Sequence, residues 1–342
     1  MNSAALVANW AQFLVSSSML FILMAFLVEC CLKLFDVSHP RTRAMLRCLP
    51  IIKLLLSLAF YEGEKSIFFD LNILSCKSYF KPFVRDFVFT PEQIEVMAAN
   101  QIPLPQFLAM QFPVEWLQLF LITFAAVSIG LISYQGTQLL SAVRYLRKVC
   151  REASACKRKI QNSSLLRALE KMQADVLVSA AIRAPMAFGR KTILLPQVLM
   201  EQLSNKEFEA LLAHEVEHLR RKDPLSKAAC TAVKTLFWWI PMEWWLKRME
   251  EDQEQACDAS IGFYHCQGED LASAVLKTLK LDRQNHKLYD GVVSPLISQR
   301  SHPFLRVQAL LEEDRSTHPW ILSYCGISVM ITLFLLIGFR IC

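Results

Sequence analysis

Four long apolar segments constrain this chain more than any other feature. They cover about residues 10–32, 46–61, 114–140 and 319–342. Each approaches the ~20 residues needed to cross a bilayer core, the second at the short end. Hydrophobic residues make up 54% of the 342, charged residues only 20%, and mean hydropathy is +0.30. That balance excludes an ordinary soluble enzyme and predicts a multi-pass membrane protein with one substantial polar domain. No Lys or Arg precedes the first segment. It lacks the basic start of a cleaved signal peptide and is expected to be retained.

Basic residues orient the spans. Lys33, Arg41, Arg43 and Arg47 follow the first. Arg144, Arg147, Lys148, Arg151, Lys157, Arg158 and Lys159 follow the third, against Glu152 alone. The 62–113 loop instead holds Lys65, Lys77, Lys81 and Arg85 among a larger number of acids. The expected topology puts both termini and the 62–113 loop outside, and residues 142–318 in the cytoplasm. The loop is rich in Phe and has a Thr-Pro helix start at 90–91. It reads as a cap lying on the bilayer.

Within 142–318 the pattern predicts a helix near 164–172 and strands at 176–181 and 192–196, flanked by Pro185 and Gly189. Ser204 and Glu207 form a capping box that opens a further helix. More helices are expected at 247–265, 269–281 and 303–313. The eleven cysteines form no CxxC pair, so free thiols are expected rather than a disulfide framework or a cysteine zinc knuckle.

The helix after the capping box carries "LLAHEVEHLRRKDP", residues 211–224. Positions i and i+4 share one helix face, so His214 and His218 present two imidazoles to one ion, with Glu215 beside its open position. A catalytic zinc takes three protein ligands and leaves one position for water. Downstream, "EDQEQACDASI" (251–261) supplies Glu254 as the third ligand. Asp258, one turn on, is placed to orient a ligand histidine from behind. Glu250 and Glu251 are rivals to Glu254. The expected cofactor is one Zn2+ per chain.

These motifs resemble the membrane-embedded metallopeptidases of the BlaR/MecR sensor-transducer type. The likeness is carried by "SNKEFEALLAHEVEHLRRKDPL", "FWWIPMEWWLKRMEEDQEQACDASI" and the upstream "APMAFGRKTILLP", and it covers about 164–315. It implies an α+β zincin-like domain, mainly helical with a small sheet, inserted between the third and fourth of four transmembrane helices. It also implies a bacterial inner membrane and a cytoplasmic repressor as substrate. "SHPFLRVQALL" (301–311) is similar to a His-Pro…Arg element of the HtpX and CAAX prenyl protease relatives. It makes His302 and Arg306 candidates for stabilising the oxyanion. Receptors of this type carry a penicillin-binding domain after the fourth span. The sequence ends at Cys342, so no such sensor is expected in it.

Residues 228–246 are apolar enough to suggest a fifth span. One crossing would separate Glu254 from His214 across the membrane, and two crossings need about 40 residues. The segment is therefore expected in the interface, with Trp238, Trp239, Trp244 and Trp245 at headgroup depth and Pro241 breaking it. Packing in the domain core is the alternative. The expected reaction is zinc-assisted hydrolysis of peptide bonds in cytoplasmic or membrane-proximal proteins, with Glu215 as general base. Substrate is expected as an added strand along 185–195. The bilayer is a partner and nucleic acid is not; oligomeric state is not legible. The alternatives are a non-catalytic signalling scaffold that keeps the zinc fold, an HtpX-like quality-control protease and, least favoured, a transporter.

Overall fold

The computed structural model of the chain describes residues 3–59, 114–285 and 303–311. The loop 62–113, the fourth apolar segment, His286, His302 and His318 lie outside the described residues.

Among the described residues, two helices are long and apolar enough to cross a membrane by length and composition. The qualifying stretches are Ser17–Leu34 of α1 (Ser3–Leu34) and Gln118–Glu152 of α4 (Val114–Glu152). Trp116, Phe120, Ile122 and Ile129 of α4 face outward and exposed, the pattern of a helix whose surroundings are apolar. Between α1 and α4 come α2 (Pro40–Arg47) and α3 (Leu49–Ala59), separated at Cys48. The expected span 46–61 is thus not one continuous helix. The described part of α3, Leu49–Ala59, has 11 residues. Two local causes are visible. Pro50 has no N–H to donate back to the Leu46 carbonyl, which interrupts the helical ladder there. Arg47 is held sideways in ion pairs with Glu29 at 2.9 Å and with Asp252. Lys53 is buried in the helix pack.

The polar part is mostly helical with one small sheet. Its strands are β1 (Ser154–Ala155), β2 (Asp175–Ser179), β3 (Met186–Phe188) and β4 (Thr192–Pro196), in the order β1-β2-β4-β3. β2 and β4 run parallel, and the outer pairs are antiparallel. β2 and β4 fall where the β-branched runs predict them. β1 and β3 are too short for a period-two pattern to register. Gly189, at φ 64°, makes the turn between β3 and β4 that a side chain would strain. β4 is internal and paired on both edges, so most of the 185–195 stretch cannot accept another strand. Of that stretch only the outer edge of β3 has no strand beside it among the described residues.

Helices α5 (Ser163–Met172), α6 (Gln197–Gln202), α7 (Asn205–Arg221), α10 (Gly268–Asn285) and α11 (Pro303–Leu311) pack around the sheet. Leu165, Ile193, Leu195, Leu199, Phe208 and Leu212 form the centre of this core. A second core joins α1 and α3 to a helical hairpin made of α8 (Asp223–Leu236) and α9 (Glu243–Ser260). Phe21, Leu54, Phe237 and Trp245 are fully buried there. A short 3-10 turn, Ile261–Tyr264, follows α9. Among the described residues eight cysteines, including Cys30, Cys150 and Cys257, are free thiols.

The start of α7 is fixed as the sequence predicts. Ser204 accepts from the Glu207 amide, and the Glu207 carboxylate accepts from the Ser204 amide at 2.6 Å. Burial would raise the Glu207 carboxyl, but hydrogen bonds from Lys277, Ser273 and Ser204 outweigh it and hold it at about 2, against an ordinary 4.5. A carboxyl depressed by folding stabilises fully above its unfolded pKa and loses that contribution as pH falls through the folded one. Glu207→Gln should cost about 1–2 kcal/mol at neutral pH. Denaturant titrations in detergent should show the gap between wild type and variant closing between about 4.5 and about 2.

Asp252 also pairs with Arg43, at 3.0 Å, so it serves two arginines at once. Asp252→Ala leaves buried guanidinium groups short of a counter-charge and should cost about 3 kcal/mol, with Asp252→Asn milder. The same titrations would measure it.

Candidate metal centre

Helix α7 brings His214 and His218 one turn apart with their rings nearly perpendicular, centroids 4.7 Å apart. Helix α9 supplies Glu254 from the other side. The two ring nitrogens and the two oxygens of the Glu254 carboxylate lie close together. His214 Nε2 is 3.1 Å from His218 Nε2 and 3.5 Å from Glu254 Oε2, and His218 Nε2 is 3.6 Å from Glu254 Oε1. Ligands on a tetrahedral zinc at ~2.0–2.1 Å lie about 3.3–3.4 Å from one another. The donor set and its spacing therefore fit such an ion. Among the described residues, Glu250 and Glu251 do not join this group.

Each imidazole is held from behind by a carboxylate. His214 Nδ1 lies 2.9 Å from Asp258 Oδ1, at an angle bent away from a linear hydrogen bond. His218 Nδ1 lies 2.7 Å from Asp223 Oδ2. Both contacts leave Nε2 as the free donor toward the ion, the arrangement that fixes a ligand's tautomer. The sequence reading identified Asp258 and missed Asp223. α7 ends at Lys222 in the left-handed conformation, φ 60°, and α8 restarts at once with Asp223 and Pro224. That reversal carries Asp223, five residues after His218, back to its ring. The Asp-Pro pair was the available signal, because Pro marks a helix start.

Arg306 takes a position the sequence did not specify. Its Nε and Nη2 donate to Asp258 at 2.8 and 2.7 Å, and Nη1 lies 3.0 Å from Glu254. The guanidinium thus locks together the two acids of the ExxxD motif. Lys227, from α8, lies 3.5 Å from Glu254 Oε1. The two glutamates inside HEVEH separate clearly. Glu217 is tied to the Tyr264 hydroxyl at 2.7 Å and to Arg220 at 2.6 Å, whereas Glu215 lines the same cleft as the histidines.

Four carboxylates converge here, from Glu215, Asp223, Glu254 and Asp258. Arg306, Lys227 and Arg221 face them. The excess of negative charge suits a divalent cation. Burial would raise Glu254, yet His218, Arg306 and Lys227 hold it well below the usual carboxylate range. Asp258 is likewise lowered against burial, by Arg306 and His214. Burial pulls both histidines down. Asp258 and Glu254 raise His214 in spite of it, and Cys257, Glu254 and Asp223 raise His218. Cys257 Sγ sits 3.4 Å from His218 Nδ1, but burial pushes its thiol up to about 11, so it packs as a neutral group.

The centre opens into a cleft of about 360 Å³. Leu139 and Val143 of α4 form one wall and Met186 to Phe188 of β3 another. The open edge of β3 therefore runs beside the histidines.

The BlaR1 peptidase M56 family profile matches residues 85–301. The chain is 31% identical over 94 residues to the methicillin resistance mecR1 protein of Staphylococcus aureus, covering 27% of this chain and 16% of that protein. It is 32% identical over 132 residues to the regulatory protein BlaR1 of Bacillus licheniformis, covering 37% and 19%. The matches thus span less than a fifth of either relative's length. With a family match across well over half of its length, this chain belongs to the BlaR1 peptidase M56 family, whose members are metallopeptidases.

Proposed function

We propose that the chain is an integral membrane zinc endopeptidase of zincin type, with its peptidase domain on the cytoplasmic side and proteins near the membrane as substrates. The observation that carries this reading is the convergence of His214, His218 and Glu254, each histidine Nε2 lying 3.5–3.6 Å from a Glu254 carboxylate oxygen and 3.1 Å from the other. The family membership and the two apolar helices support the membrane setting.

In this reading His214, His218 and Glu254 hold the ion. When bound, zinc polarises the scissile carbonyl and lowers the pKa of water toward ~7. Glu215 accepts a proton from the attacking water and returns it to the leaving amine. Asp258 and Asp223 keep the two imidazoles in the tautomer that offers Nε2. Substrate lies as an added strand on the open edge of β3, where main-chain hydrogen bonds give affinity with little sequence choice. Arg306 spends its donors on Asp258 and Glu254, so we assign it to positioning; the oxyanion role expected of it passes to His302, still a proposal. A regulatory role is suggested by the name of the Bacillus licheniformis relative.

Two measurements test this. Glu215→Gln should keep zinc at about one per chain yet lose about 10²–10⁴-fold in cleavage of a proteome-derived peptide mixture. Cleavage retained in Glu215→Gln would remove Glu215 as the base, and no cleavage by the wild type would leave the scaffold reading in place of the enzyme. In zinc competition with a chelator, Asp258→Ala and Asp223→Ala should each bind about 10–100-fold more weakly than wild type. Glu254→Ala should bind more weakly still. Wild-type affinity in Glu254→Ala would reassign the third ligand.

A further inference from the structure

The α8–α9 hairpin lies along the two membrane-type helices, and its contacts follow a fixed order. On α1, the ring of Phe13 meets Trp239 at 6.2 Å, Phe21 meets Trp245 at 6.4 Å, and Glu29 pairs with Arg248 at 3.2 Å. The residue numbers rise together on both sides, so α9 runs alongside α1 in the same direction. On α4, Trp238 stacks on Phe124 at 5.2 Å and its indole donates to Ser128 Oγ at 3.0 Å. The hairpin's turn, residues 237–242, therefore stands at the level of Phe13 and Phe124.

That level is far from the polar boundary. Glu29, Arg47, Arg248 and Asp252 form an ionic layer around α1. Phe13 precedes Glu29 by 16 residues, about 24 Å along a helix. Phe124 precedes Gln135, where amide side chains return to α4, by 11 residues, about 16 Å and near the middle of a ~30 Å core. Both ends of the hairpin nevertheless reach the metal centre, through Asp223 and Glu254.

We infer that residues 223–260 are a re-entrant helical hairpin. It enters the bilayer from the side that holds the metal centre, places the Trp-Trp-Ile-Pro turn deep among acyl chains, and returns to the same side. This rests on the proposal that α1 and α4 span the membrane. It replaces the interfacial position expected of 228–246. The 35 residues between His218 and Glu254 are too few for two crossings, but a hairpin that turns inside the bilayer needs fewer.

Irregular backbone survives at that depth only if its polar groups are satisfied within the protein, and several of the turn's are, although the buried Trp239 Nε1 has no hydrogen-bond partner among the described residues. The amides of Phe237, Ile240 and Met242 donate to Val233, Phe237 and Ile240 carbonyls at 2.8–2.9 Å, and Pro241 has no N–H to satisfy. Thr231 and Thr235 return their hydroxyls to carbonyls of their own helix at 3.0 and 2.8 Å. The charged groups nearest the turn, Lys234 and Glu243, pair with each other across the hairpin. Leu236 and Trp244, flanking the turn, are exposed large apolar side chains.

The test uses the full chain in phosphatidylcholine vesicles whose lipids carry bromine either near the headgroup or deep in the acyl chain. Trp238 is kept as the sole tryptophan in one variant. In a second, Phe124→Trp marks the depth of α4. Deep bromine should quench Trp238 more strongly than shallow bromine, matching Phe124→Trp. Deep quenching at Phe124→Trp with shallow quenching at Trp238 overturns the inference and leaves the spans in place. Shallow quenching at both overturns the spanning proposal and the inference with it. Because removing tryptophans can prevent folding, the wild-type protein is also photolabelled by a lipid with a diazirine in its acyl chain. Label at Leu236 and Trp244 is expected. Label on α4 without label on 234–247 overturns the inference.

Discussion

The buried carboxylates of helix α9 must be paired, and most of the architecture follows from how they are. Asp252, Glu254 and Asp258 fall within seven consecutive positions, 252–258, and all are withdrawn from water. An uncompensated buried charge costs several kcal/mol, so each acid selects partners from another part of the chain. Asp252 draws Arg43 and Arg47 from α2. Glu254 and Asp258 draw Arg306 from α11 and the histidines of α7. One helix thereby pins the apolar half of the protein to the peptidase half.

The same helix has three levels with three environments. Trp245 is packed against Phe21 of α1 and donates to the Arg47 carbonyl at 2.8 Å. Asp252 sits in the ionic layer one helical segment below. Glu254 and Asp258 face the histidines. An α-helix is stiff over so short a length, so a displacement of α1 or α2 against α9 reaches Glu254 with little loss. The candidate metal site and the membrane-type helices therefore share contacts with one helix, α9.

Zinc-type chemistry needs its ligands fixed more tightly than a helix face alone can manage. The backing carboxylates supply that restraint. Asp258 lies on the helix that also provides Glu254, and Arg306 holds both acids in a single fork of hydrogen bonds. Asp223 acts from the helix that follows His218. The cleft beside them is walled by α4 on one side and by an unpaired strand edge on the other. A peptide reaching the histidines would thus run between the sheet and a helix that continues from an apolar segment.

Much of this is written in local sequence. The i, i+4 spacing of His214 and His218, the pairing of Glu254 with Asp258, the Ser204–Glu207 cap and the β-branched runs of β2 and β4 are set by short-range geometry. Apolar length likewise marked α1 and α4. What depended on tertiary structure was every relation between distant segments. Asp223 could be read as a partner of His218 only once Lys222 reversed the chain. Arg306 turned from the site's edge onto two carboxylates 48 and 52 positions away in sequence. The expected second span broke at Cys48 because Arg47 was claimed by Asp252, more than two hundred residues later. Residues 228–246 read as an interfacial stretch, and only their contacts with Phe13 and Phe124 gave them depth. The physical reason is the same in each case. Hydrogen-bond geometry and hydrophobic periodicity act within a few residues and leave a pattern in the sequence. The pairing of buried charge and the stacking of aromatic rings act through space, and the sequence carries only their two unmatched halves.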